Sequence, residues 1–222
     1  MSHSGRNALF CLFFVFTIQS CAGSWDFWPF NINKETTPSL KVIPETDGNF
    51  IHLKHFDESN LQTYIDSMNR FLEPYIKPTH GENLYVCDFN NPPPEGRVCH
   101  FDRKNLHYCT PENDYSFRKD SPCLLFTLSE ASLRYIWFTC EGDTAADKEF
   151  IGPVSYYPQN GFPTYYFPFK NIEGYQSPIV GVHFARPMRG VVITIICKVW
   201  AKNIPLDEEK GLGYAKIYLL ID

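Results

Sequence analysis

Apolar residues follow three rhythms along the chain. The first is a near-continuous run of eleven, Ala8 to Ile18, after a polar start with one arginine, Arg6. The second has a helical period: Leu61, Tyr64, Ile65, Met68, Phe71 and Leu72 share one face. It predicts a single strong helix over Phe56–Tyr75, docked by that stripe on a domain core. Ser59 with Gln62 suggests a capping box at its start, and Pro74 disfavours helix at Glu73 and so ends it. After Gly81 the third rhythm is β-like: Cys123–Leu128, Tyr135–Thr139, Pro178–Phe184, Val191–Trp200 and Tyr214–Ile221 are short runs rich in branched and aromatic residues. Met188-Arg189-Gly190 separates two of them and suits a hairpin turn. One helix followed by strands predicts a mainly β fold, an antiparallel β-sandwich with one flanking helix. Trp25 to Pro44 is polar and punctuated by proline, and is expected to be a stalk or linker.

The apolar run has the order of a targeting segment. Ser20 and Ala22 are small residues suited to peptidase cleavage after Ala22. A spanning helix needs about 20 apolar residues, and Ala8 to Trp25 gives 18 with polar residues and a glycine near its end. Two readings stay open: a cleaved signal peptide over residues 1–22, or a short retained type II anchor. Trp25, Phe27, Trp28 and Phe30 would then form its interfacial belt. Both send a linker (23–44) and a domain (45–222) to the extracytoplasmic side.

Composition narrows this further. Of 222 residues, 44% are apolar and 16% aromatic, enough for a core. A net charge of -5 with no cluster of five basic residues argues against a general nucleic-acid binder. Two of the eight cysteines, Cys11 and Cys21, fall in the targeting segment. The other six are Cys87, Cys99, Cys109, Cys123, Cys140 and Cys197. They form no C-x-x-C pair, which argues against structural zinc and for disulfides outside the cytosol. Six cysteines allow 15 connectivities. Spacing favours the sequential one, with two tight loops and one long one, contributing about 3 kcal/mol for each short loop and about 4 for the long one. The last bond, Cys140 to Cys197, would tie two strands or sheets.

Little points to catalysis. His3, His52, His55, His80, His100, His107 and His183 are scattered, and G-x-S-x-G, H-E-x-x-H and phosphate-binding glycine loops are absent. No cofactor is implied. His183 alternates with Val182 and Phe184 and is expected at the surface or hydrogen-bonded. Asp207, Glu208 and Glu209 suggest a solvated loop. The unusual stretch is Tyr156 to Phe169, with four Tyr, three Phe and three Pro in fourteen residues. It is too rich in proline for a central strand, and is either a protein-contact segment or an edge loop whose rings cover the core.

The order of motifs resembles the β subunits of the sodium/potassium and hydrogen/potassium pumping ATPases, from about Pro38 to Asp222. Leu40-Lys-Val-Ile-Pro44 resembles the start of their ectodomain, and Arg70-Phe-Leu-Glu73 the end of their helix. Arg97-Val-Cys-His-Phe101 and Ser121-Pro-Cys-Leu-Leu125 resemble two of their cysteine elements. Gly161-Phe-Pro163 precedes Tyr166-Phe-Pro-Phe169 where the family has an aromatic Tyr-Tyr-Pro motif. Tyr175 to Phe184 and Cys197 to Ile204 resemble its last core strands.

The resemblance implies an Ig-like sandwich with the sequential disulfide pairing. It also implies a non-catalytic subunit that escorts and stabilises the α subunit of a P-type cation pump and tunes its potassium handling. The aromatic motif would contact that α subunit, a role falling by position to Tyr166, Phe167, Pro168 and Phe169. Four departures stand out: no cytoplasmic tail precedes the short apolar run, the Cys123–Cys140 segment is short, Asn171-Ile172 replaces Gly-Lys after the motif, and no Asn-x-Ser/Thr sequon occurs. The alternative is a secreted or surface adhesion module on the same fold, independent of a pump.

Overall fold

The computed structural model describes residues 39–76, 83–129, 135–167, 172–201, 204 and 206–222. The targeting segment and most of the expected linker lie outside them. In chain order the elements are β1 (Leu40–Ile43), β2 (Phe50–Leu53), α1 (Glu58–Ile76), β3 (Leu84–Tyr85), β4 (Val98–Cys99), β5 (Cys123–Leu128), β6 (Tyr135–Gly142), α2 (Ala145–Phe150), β7 (Val154–Tyr157), β8 (Gly161–Pro163), β9 (Ile179–Phe184), β10 (Ile193–Trp200) and β11 (Tyr214–Ile221). Sheet one has the order β1-β5-β9-β7 and sheet two β2-β11-β10-β6-β8. The result is the expected mainly β, Ig-like sandwich with one main helix and three disulfides. Its ladders are antiparallel except at β2, which runs parallel to β11, and in the two-residue β3–β4 pair. The sheet begins inside the stretch expected as linker, because Leu40–Ile43 pairs with Leu125–Leu128.

Side-chain pattern explains the layering. β5 and β9 are buried at every position, so sheet one is covered on both faces. Its outer face meets the 3-10 turns Arg103–Cys109 and Pro111–Lys119. β11 alternates between buried and half-buried residues, so sheet two buries only its inner face. Between the layers, Phe126 of β5 meets Phe138 of β6 at a ring separation of 4.8 Å, and Phe162 of β8 packs on Phe138 at 5.5 Å.

α1 buries Leu61, Ile65, Met68 and Leu72 against Pro111–Lys119 and β1, and buried Tyr115 donates to Asn69 Oδ1 at 2.8 Å. Its ends differ from the expectation. Asp57 caps it: Oδ1 accepts from the Ser59 and Asn60 N–H groups at 3.1 and 3.2 Å. Ser59 is thus spent on Asp57 and builds no capping box. The helix also runs past Pro74 to Ile76. A proline in the final turn removes one N–H bond, and the Pro74 carbonyl accepts from Gln176 Nε2 at 3.2 Å.

The expected hairpin at Met188–Gly190 is a crossover instead, because β9 lies in sheet one and β10 in sheet two. The disulfides are Cys87–Cys99, Cys109–Cys123 and Cys140–Cys197. Cys140 and Cys197 face each other on neighbouring β6 and β10, so that bond staples two strands of one sheet. Cys109–Cys123 fastens the covering turn to β5. A Cβ added at Gly181 of β9 would stand 2.9 Å from both Cys109 Cβ and Sγ, so only glycine lets the disulfide pass this close.

His183, expected at the surface or hydrogen-bonded, is buried beside this staple, opposite Cys123 in register. Tyr108 stacks over it at 5.0 Å, and its Nε2 has no hydrogen-bond partner. Burial holds the imidazole below its ordinary value of 6.5, against a smaller opposite pull from a hydrogen bond to the Ser121 backbone. Folding therefore favours the neutral ring. Its contribution to stability is complete above the ordinary value and is lost as pH falls through and below it.

Two outcomes follow for stability. Gly181→Ala should cost about 1–3 kcal/mol by overpacking, read as a lowered denaturant midpoint; an unchanged midpoint would mean that Cys109 moves aside freely. His183→Phe should flatten the fall in midpoint between neutral and mildly acidic pH. An unaltered slope would place the sensitive group elsewhere.

Candidate partner-binding surface

The aromatic stretch begins on sheet one and ends beside sheet two. β7 is the edge strand on β9, with Val154 opposite Phe184. After Pro158 the chain changes layer, and β8 becomes the edge strand on β6, with Ile136 opposite Phe162. Both edge positions suit a proline-rich segment, which lacks N–H donors for an inner ladder. Phe162 is fully buried. Its burial delivers Thr164–Tyr166 as a single 3-10 turn, closed by the Phe167 N–H on the Thr164 carbonyl at 2.9 Å.

Three anchors hold that turn. Tyr166 donates its hydroxyl to the His100 carbonyl at 3.2 Å and packs on Phe101 at 6.2 Å. Tyr165 lies 4.8 Å from the Tyr166 ring and meets Phe89 edge-on at 5.2 Å. Cys99 Sγ, which carries no proton in its bond to Cys87, sits 3.2 Å from the Tyr165 carbonyl oxygen as a packing contact. Beneath them is buried Gln176. Its Oε1 accepts from the Phe101 N–H at 2.9 Å while its Nε2 reaches the end of α1 at Pro74. Tyr75, next along α1, donates to the Ser177 carbonyl at 2.9 Å and packs edge-on against Phe101.

Beside the turn opens a cavity of about 890 Å³, walled by Pro92–Pro94, Val98 and Cys99 on one side and Tyr165–Phe167 on the other. Burial raises the phenol pKa of Tyr75 and Tyr166 well above the ordinary value and pushes that of Tyr175 up to about 12. These hydroxyls stay protonated at neutral pH, and those of Tyr75 and Tyr166 are spent as donors to backbone carbonyls inside the fold. The arrangement suits contact with another protein: rigid rings and proline walls, with Glu95 and Arg97 also lining the opening. Among the described residues no group of three or more His, Cys, Asp or Glu could hold a metal ion.

Of the four residues expected to contact a partner, Tyr166 and Phe167 lie here and are half-buried. Pro168 and Phe169 fall outside the described residues. Sequence reasoning missed Phe89, which is 58% exposed, and it missed Gln176. The pairing of Cys99 with Cys87 was the signal available for Phe89, because it folds the proline loop against Tyr165.

The family model for the sodium/potassium ATPase beta chain matches residues 7–217. The chain belongs to this family. Among beta-chain relatives, the sodium/potassium-transporting ATPase subunit beta-2 of Drosophila melanogaster is 36% identical over 222 aligned positions, covering 82% of this chain and 69% of the relative. Subunit beta-1 of the same fly is 28% identical, covering 76% and 65%. Subunit beta-2 of Homo sapiens is 26% identical, covering 83% and 71%. The alignments thus span about two thirds of these beta chains' own length. The beta-chain match takes in the apolar run Ala8–Ile18 as well as the domain.

If the Cys87–Cys99 bond props the turn, Cys87→Ser/Cys99→Ser should raise amide hydrogen exchange at Tyr165–Phe167 while β10 and β11 keep their protection. Equal protection in both proteins would show that Gln176 and Phe101 suffice.

Proposed function

We propose that this chain is the non-catalytic partner of the α subunit of a P-type sodium/potassium pump, assembling with it and supporting its maturation and ion transport. The observation that carries the reading is the family match across residues 7–217, joined to an aromatic surface with no evident chemistry of its own. In this reading Tyr166, Phe167, Pro168 and Phe169 meet an extracellular part of the α subunit, with the cavity beside Pro92–Pro94 extending the contact. The domain stands on the extracellular side of the plasma membrane, as a linker and ectodomain behind a retained N-terminal anchor. Inclusion of Ala8–Ile18 in the match favours retention over cleavage.

Tyr166 is bound into the fold through His100 and Phe101, so truncating it would mix folding with binding. Phe167 and Phe169 carry no hydroxyl, so truncating them leaves the bond from Tyr166 to His100 in place. Co-expressed with a sodium/potassium pump α subunit, the full chain should co-purify with it from membranes. Phe167→Ala/Phe169→Ala should reduce recovery by roughly tenfold or more, as for a truncated interface anchor, with a cooperative thermal transition retained. Absence of any complex with the unaltered chain would overturn the assembly reading. An intact complex with the variant would remove these residues from the interface.

A further inference from the structure

Sheet two leaves its outer face open, and the character of that face changes along the strands. The chain enters the domain at Ser39, which bridges to Leu212. This marks one end of the sandwich as the base, where β1 and β11 start and β10 ends. Further along the sheet, at the row of Ile196, the outer face is ionic: Lys216 pairs with Asp143 at 3.4 Å and Lys148 with Glu141 at 3.6 Å, while the connection at the base carries Asp207, Glu208, Glu209 and Lys210 after Leu206. Along β6 toward the base, Glu141 gives way to Thr139 and then to Trp137.

Trp137 lies directly opposite Trp200, the last residue of β10. The two indoles are 53% and 48% exposed, and Leu206, in the connection leaving β10, is 44% exposed. Trp200 Nε1 is already satisfied by Thr139 Oγ1 at 2.8 Å. Half-buried Lys198, opposite Thr139 in register, has a stem that can lie along the rings while its ammonium reaches water.

We propose that this basal rim of Trp137, Trp200 and Leu206 rests in the headgroup region of the bilayer that holds the N-terminal segment. The occupant follows from where the chain outside the described residues joins the fold. Residues 19–38 connect the apolar run to Ser39, and they carry Trp25, Phe27, Trp28 and Phe30. Membrane tether and indole rim thus share one end. Indoles are enriched at this depth because the ring is apolar while its edge tolerates water. The proposal rests on the retained-anchor reading and adds a second attachment, which would fix the tilt of the domain on the membrane.

The chain has four tryptophans, so Trp25→Phe/Trp28→Phe in the full chain leaves only the two of the rim and alters nothing in the described domain. This variant, incorporated into phosphatidylcholine vesicles and isolated by flotation, should lose tryptophan emission when the lipid is brominated near the headgroup. A floated chain with equal emission in brominated and plain vesicles overturns the rim contact alone. A chain that does not float overturns the anchor and the rim contact together. If emission ignores the bromines but shifts to the blue when an α subunit is incorporated alongside, a protein covers the rim and the bilayer proposal falls.

Discussion

Phe138 is the point at which the two sheets become one domain. It projects from β6 into the layer between them and meets Phe126 of the opposite sheet, Phe162 of its neighbour β8 and the ring of Tyr156. The Tyr156 hydroxyl in turn reaches back to sheet two, where the Cys140 N–H donates to it at 2.8 Å. A ring of that size fills its layer only if all three neighbours are present, since interiors are packed at near-crystalline density. The change of layer between β7 and β8 is what supplies Tyr156 from one sheet and Phe162 from the other. The aromatic stretch is therefore first a clasp across the core, and Thr164–Tyr166 follow it as a single turn beside that clasp.

That division explains how an aromatic surface can stand beside the core without joining it. Burial keeps Tyr75, Tyr166 and Tyr175 protonated, and hydrogen bonds to backbone carbonyls fix the first two. Gln176 links the end of α1 to the exit of β4, so helix, proline loop and aromatic turn are positioned by one buried amide. Such a surface loses little conformational entropy on binding, because its rings are already held.

How much of this was legible in the sequence depended on how local the deciding interaction is. Cys123–Leu128 and Tyr214–Ile221 could be bounded to the residue, since their runs are set off by turn residues and their own pattern suffices. The helix was legible from its stripe. Its cap was not, because Asp57, Ser59 and Asn60 all favour a helix start and only geometry selects among them. Met188-Arg189-Gly190 has good turn chemistry, but whether a turn joins neighbours in one sheet or crosses between two is decided by the core. His183 is hydrogen-bonded to the Ser121 backbone, one of the two expected outcomes, but its burial was not legible because Tyr108, which covers it, is distant in sequence. Tyr166 and Phe167 emerged through resemblance. Phe89 and Gln176 required knowing which loop lies against which strand.

The parallel pairing of β2 with β11 sets an order of events for a chain that emerges from its N terminus. β1 finds its ladder partner in β5, and α1 packs on β1 and the turns that end at Lys119, with only its last turn waiting for Gln176 and Ser177. β2 lies just ahead of α1 yet finds its partner at Tyr218–Ile221, after nearly every other strand has been made. Until then Phe50–Leu53 is an open edge, with unpaired backbone groups and apolar Ile51 and Leu53 ready to meet the wrong strand. Quality control during synthesis would therefore meet a half-closed sandwich with its helix already docked by the apolar stripe. The last strand is what turns this partner-seeking intermediate into a finished domain.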